Sequence, residues 1–164
     1  MSAISGSIRK IDDAPHLVLT RQLDVSVHDA WRDLTESARL ERWIGRWEGD
    51  PQTGSVTFFM TAEGEDIPGE AYAIETCEPP RRFAGTTASG WHLWFELAAS
   101  DGKTTLAFGH RLNPTDDVGS IGPGWEYYLD RLVCAQAGVD CGSIVWDDYY
   151  PALQGEYERL VAAD

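Results

Sequence analysis

Basic residues are scarce in this chain. Thirteen lysines and arginines stand against 27 aspartates and glutamates, for a formal net charge of −14. A surface so acidic repels phosphate backbones and anionic lipid, and Arg81–Arg82 is too small a basic patch to offset it. Nucleic acid is therefore excluded as an expected partner. Cysteine is scarce as well: Cys77, Cys134 and Cys141 form an odd set without metal-ligand spacing. Neither a disulfide framework nor a metal site is expected. No apolar run approaches the roughly 20 residues of a membrane span. The opening MSAISGSIRKIDDAPH lacks the apolar core of about 7–15 residues found in signal peptides. Internal repeats and low-complexity segments are absent too. These absences together read as a soluble protein of the reducing cytosol.

The motifs of covalent catalysis are also missing. No Cys–His or Ser–His–Asp ordering stands out, and there is no Gly-x-Ser-x-Gly elbow. The glycine-rich GSIGPG at 119–124 has no Lys-Ser/Thr, and Pro123 removes a donor that a phosphate loop would use. The pairs Asp116–Asp117 and Asp147–Asp148 lack a histidine or third ligand, so they read as caps and turns. A classical enzyme is not expected, nor is any cofactor.

What is present is strong periodicity. The 164 residues fit one domain spanning 1–164, large enough to bury about 70% of its unfolded surface. The chain is organised around GWEYYLDRLVCAQ at 124–136. There Trp125, Tyr128, Leu129, Leu132, Val133 and Gln136 lie on one helical stripe, with Glu126, Asp130 and Arg131 on the side facing water. Pro123 is expected in the first turn and Gly138 at a left-handed C-cap.

Residues 1–15 read as a loose arm or a poor edge strand, and 16–23 alternate as the first clear strand. Val27, Ala30, Trp31 and Leu34 then form a helical stripe opened by a Ser26/Asp29 capping box. Ser37 can cap a second short helix with Leu40, Trp43 and Ile44, ended by Gly45. Both Trp31 and Trp43 are expected to point inward. Five alternating segments follow, at 56–60, 70–75, 82–87, 91–98 and 104–112, joined by turn-rich DPQTG, EGEDIPG and SDG. Short turns between strands mean an antiparallel meander. A loop at 113–122 leads to the long helix. Beyond it, residues 139–164 form an extension in which Tyr150, Leu153, Tyr157, Leu160 and Val161 make a further stripe. Asp147 or Asp148 is the expected cap there, with Pro151 in the first turn. An exposed apolar patch on this last helix would point to a homodimer.

The order of strand, two short helices, meander and long helix resembles the α+β helix-grip (START-like, or SRPBCC) superfamily. Within it, the chain resembles the branch homologous to the C-terminal domain of the activator of heat-shock-protein-90 ATPase. The resemblance is carried by RQLDVSVHDAWRDLTESARLERWIG (21–45), GSVTFFM (54–60), CEPPRRF (77–83) and GWEYYLDRL (124–132), and covers about residues 16–136. Residues 1–15 hold no counterpart of the separate N-terminal domain of eukaryotic activators.

The resemblance implies a curved sheet wrapped around the long helix, with a cavity between them. Counting by twos assigns Phe58, Met60, Tyr72, Ile74, Trp91, Leu93, Phe95, Leu106 and Phe108 to its wall; Trp125, Tyr128 and Leu129 come from the helix and Trp43 from the lid. His110 and Glu70 share that face and are the candidate acid–base residues; His92, Glu96 and Trp94 belong to the opposite face, and His28 to solvent. Three functions follow as expectations: binding of a small apolar or aromatic molecule, regulation of a chaperone ATPase as a co-chaperone in stress, and polyketide cyclase or aromatase activity through His110 or Glu70.

Overall fold

The computed structural model describes residues 4–61, 68–138 and 141–162. Most of the turn expected at 63–69 falls outside them. Eight strands form one antiparallel sheet: β1 (Ser7–Ile11), β2 (Ala14–Leu23), β3 (Arg46–Glu48), β4 (Ser55–Phe59), β5 (Glu70–Glu78), β6 (Arg82–Thr87), β7 (His92–Ser100) and β8 (Lys103–Arg111). Their order is β1-β2-β8-β7-β6-β5-β4-β3, so only the β2–β8 neighbours are distant in the chain. Four helices accompany them: α1 (Val27–Thr35), α2 (Ser37–Leu40), α3 (Val118–Gln136) and α4 (Gln154–Ala162). This is the helix-grip architecture, a curved sheet around a long helix.

Turn chemistry explains the hairpins. Asp101 and Gly102 both have left-handed φ (50° and 79°), as a tight β7–β8 turn demands. Asp12 and Asp13 do the same (51° and 65°), which folds residues 7–23 into a β1–β2 hairpin. Of the two readings of the arm, the edge strand holds for Ser7–Ile11, and Ala14 and Pro15 already belong to β2.

The core lies between α3 and the β2–β8–β7 part of the sheet. Leu17, Leu19, Leu23, Leu106, Leu129 and Leu132 are fully enclosed there. Each such leucine contributes about 1.5–3 kcal/mol of burial free energy. Helix α1 covers β7 and β8, and Ser26 Oγ accepts from Asp29 N at its start, as expected. Ser37 behaves otherwise: its hydroxyl bridges to the backbone of Trp47, and Glu36 occupies the cap position of α2 without a side-chain bond.

Helix α3 starts at Val118, six residues before the expected boundary, and Pro123 lies inside it. The glycines that read as loop are packing devices. A Cβ on Gly122 would be driven into the Tyr157 ring, and one on Gly119 would sit 2.9 Å from Glu158 Cγ. Helix α4 thus lies against the early turns of α3. The supposedly solvent-facing side of α3 is covered by α4 and by residues 5–6, and Glu126 is only 4% exposed. Its carboxylate accepts from Ser5 N (2.7 Å), Ser5 Oγ (2.6 Å), Arg21 Nη2 (2.8 Å) and Tyr157 Oη (2.7 Å). Burial pushes the Glu126 pKa up, but these donors outweigh it and hold the group below its ordinary value. Val133, assigned to the inward stripe, is 36% exposed. In the extension, Asp147 and Asp148 belong to a separate single turn at Trp146–Asp148, and Pro151 precedes α4, so neither serves as its cap or first turn.

Candidate functional site

Register fixes which side chains share the concave face. The pairs Leu93↔His110, Phe95↔Phe108 and Leu97↔Leu106 align β7 with β8. Phe83↔Phe95, Ile74↔Gly85, Val56↔Tyr72 and Trp47↔Phe58 carry the same face outward to β3. Phe58, Tyr72, Ile74, Leu93, Phe95, Leu106, Phe108, His110 and Glu70 therefore lie on one side, while Met60 and Trp91 flank the ends of β4 and β7.

These residues divide into two groups by cover. Phe95, Leu106, Phe108, Tyr128, Leu129 and Trp43 are packed in the core, and Trp43 Nε1 is fixed to Asp33 O at 3.0 Å. Phe58, Met60, Tyr72, Ile74, Leu93 and Trp125 are half-buried, and Trp91 is 36% exposed. The difference follows from helix placement, since α3 lies over β2 and α1 over β7 and β8.

An aromatic row runs along the half-covered part. Tyr72 and Phe83 are parallel (centroids 6.0 Å apart, 4° between planes), as are Phe83 and Phe95 (5.6 Å, 15°). Trp31 meets Phe83 and Phe95 edge-on at 6.3 and 5.5 Å. Phe83 and Trp31 were not among the expected lining residues. The signal for Phe83 was its period-two relation to Gly85; Trp31 was expected inward and simply reaches further across the face. Tyr72 Oη donates to Leu93 O at 3.4 Å, and burial, reinforced by Glu75, pushes its phenol above the ordinary range. It stays a neutral hydroxyl.

His110 and Glu70 do not form an acid–base pair. Three strand spacings separate β5 from β8, on the order of 14 Å, and Glu70 accepts instead from Ser89 Oγ at 3.2 Å. His110 is fully enclosed between Trp91 (4.6 Å) and Trp125 (6.2 Å), and its Nδ1 accepts the Trp125 indole N–H at 3.0 Å. Burial pulls its pKa down to about 4; nearby Asp116 works the other way without restoring it, and His16 and His92 depress it further. On the outer face, Trp94 Nε1 donates to His16 Nδ1 and His92 meets Glu75; Trp94, His92 and the exposed His28 are on the sides expected. Among the described residues no cluster of His, Cys, Asp or Glu could hold a metal, and no helix is long and apolar enough to cross a membrane.

Residues 24–135 match the signature of the activator of Hsp90 ATPase homolog 1-like proteins. The chain belongs to that family. Solved structures agree on the fold of this family member. CalU16 from Micromonospora echinospora superposes with a TM-score of 0.76 at 22% identity, covering 97% of each chain. EF2215 from Enterococcus faecalis, a conserved protein of unknown function, gives 0.74 at 19% identity over 97% of this chain and 92% of its own. The Aha1 dimer from Colwellia psychrerythraea gives 0.60 at 17% identity, over 74% and 95%. No curated protein matches the sequence.

Proposed function

We propose that the chain binds a small apolar or aromatic molecule on the half-covered inner face, between the Tyr72–Phe83–Phe95 row and the Trp91–Trp125 pair. The observation that carries this reading is the set of large apolar side chains left half-buried on a concave wall, against the near-complete burial of their neighbours under α1 and α3. Concave apolar surface with a few polar groups is the usual make-up of a small-molecule site. The polar groups here are the Tyr72 hydroxyl and, at the rim, Glu70 and Ser89. Orientation of a ligand polar atom falls to them, because His110 is committed to Trp125.

A thermal-shift screen against fatty acids, sterols and polycyclic aromatics tests the reading. A true ligand at a hundredfold its Kd adds about 2.7 kcal/mol of stability. No shift with any class, together with unchanged Trp fluorescence, rules the reading out.

A second reading is regulation of a chaperone ATPase, which family membership and the structural likeness to Aha1 favour. Stimulation of a purified Hsp90-type ATPase by the full chain is the measurement, and no stimulation at saturating protein rejects it.

A further inference from the structure

His110 turns one nitrogen toward the inner face and the other away from it. Since Nδ1 accepts the Trp125 N–H, the neutral ring carries its proton on Nε2. That Nε2–H is enclosed and has no hydrogen-bond partner among the described residues. It faces Asp116 Oδ2 at 3.9 Å, too long for a direct bond. Orphaned buried donors are rare in folded proteins, so this one calls for an acceptor, whether a water or a ligand oxygen.

Asp116 separates this donor from a second concavity. Between the β1–β2 hairpin, the end of β8, the start of α3 and the end of α4 lies a half-open cleft of about 410 Å³. Ile8, Pro15, Leu112, Val118 and Val161 supply apolar walls, and Asp116 and Arg111 contribute to its polar edge. Asp116 Oδ2 already accepts from Asn113 N at 2.7 Å, which anchors the carboxylate at the cleft side.

The chemistry of the two facing groups selects the ligand. The missing group must accept from Nε2–H and be compatible with a carboxylate that can only accept. A carboxylate or phosphate would confront two acids, Asp116 and Asp13, against the single Arg111. An ammonium cannot accept, and a ketone or ether cannot donate. A hydroxyl does both, and apolar walls suit a hydrocarbon body. We propose that this cleft binds a hydroxyl-bearing apolar molecule, an alcohol or phenol, whose oxygen accepts from His110 Nε2–H and whose proton goes to Asp116. His110 itself does not line the cleft, so entry of the hydroxyl requires the Asp116 carboxylate to swing outward and give up its bond from Asn113 N. This site is separate from the inner face, and the inference stands without the ligand reading above.

The experiment uses the full chain labelled with ¹⁵N-histidine, ¹⁵N-tryptophan and ¹³C-methyl valine, titrated with 4-methylphenol, 4-methylanisole and toluene. The phenol should shift His110 Nε2 and the Val118 and Val161 methyls saturably, at least about tenfold more tightly than the ether or the hydrocarbon. Equal affinity for all three, or no movement at His110 Nε2, overturns the proposal. So does a slowly exchanging water at Nε2 that the phenol fails to displace. Val161→Trp, at a position 48% exposed, fills the cleft and should abolish the phenol response without changing the unfolding midpoint. If the response survives in that variant, the phenol sits on the inner face and the cleft assignment fails.

Discussion

Tyr157 on α4 donates its phenol O–H to the Glu126 carboxylate on α3 at 2.7 Å, and Ser5 and Arg21 close on the same carboxylate. One buried anion thus joins both ends of the described chain to β2 and the central helix. Arg21 reaches on to Asp130 at 3.0 Å, which in turn accepts from Tyr149 Oη at 2.6 Å. Burial of Arg21 is outweighed by these acids, which raise its pKa above the ordinary value. The network is fully hydrogen-bonded, the condition under which a buried charge is tolerable.

Removing the Tyr157 hydroxyl should therefore cost more than an ordinary hydrogen bond. Tyr157→Phe is expected to destabilise by about 1.5–3 kcal/mol, the range for bonds to charged groups. Glu126→Ala should cost roughly 3–5 kcal/mol, because Arg21 loses its buried counter-charge and keeps only the more exposed Asp130 as an acid. Urea unfolding measures both. A Tyr157→Phe protein as stable as the parent would show that α4 is held by packing only.

A pair of Gly→Ala substitutions should act with opposite signs. At Gly122 the new methyl meets the Tyr157 ring and must push α4 away, a cost of about 1–3 kcal/mol as for other overpacked sites. At Gly155 the methyl meets nothing closer than Arg159 Nη1 at 3.6 Å. There Ala restricts the unfolded chain without strain and should stabilise by about 0.4–1 kcal/mol. Differential scanning calorimetry of the two variants decides it, and a stabilised Gly122→Ala would refute the close packing of α3 on α4.

Stability should fall between about pH 6.5 and pH 4.5 through histidines. Burial holds the folded His110 pKa at about 4, against its ordinary value of 6.5. The unfolded state then binds the proton first, so the stabilisation is complete above 6.5 and is lost as pH falls toward 4. At 1.36 kcal/mol per unit this amounts to roughly 3 kcal/mol. Burial lowers His16 as well, in the same direction. Glu126 acts at lower pH, its contribution being lost only as pH drops below its ordinary 4.5. His110→Gln keeps an acceptor for Trp125 and should flatten the pH dependence of the unfolding free energy above pH 4.5. An unchanged slope would assign that dependence to other groups.

The contrast between α3 and the strands shows what the sequence could carry. Period-two alternation placed Phe58, Tyr72, Leu93, Phe95, Phe108 and His110 on one face, because a strand's side-chain direction is set by its own residues. Glu126 reads as water-facing because a helix's polar side normally meets solvent. What covers that side is a helix some thirty residues later and an arm more than a hundred residues earlier, and no local pattern encodes either. The glycines at 119 and 122 read as loop for the same reason, since loop flexibility and close helix contact ask for the same residue. His110 and Glu70 share a face but sit three strands apart, and face alone carries no distance.

Cover, the property that period could not reveal, also gives the sharpest test of the inner face. Phe83 and Phe95 stack at 5.6 Å, yet Phe95 is 6% exposed under α1 and Phe83 is half-buried. Truncating Phe95 to Ala should cost about 3–5 kcal/mol, as for a core phenylalanine. Phe83→Ala removes a side chain with less of its surface out of water, so its cost should be clearly smaller, roughly half. If the half-covered wall holds the ligand, the order reverses in binding: Phe83→Ala should weaken it by about tenfold or more, near the 1.4 kcal/mol that one aromatic contact supplies. Urea unfolding and fluorescence titration with the best compound from the thermal screen give the two numbers for each variant. Equal binding by the parent and Phe83→Ala would place the ligand away from the Tyr72–Phe83–Phe95 row.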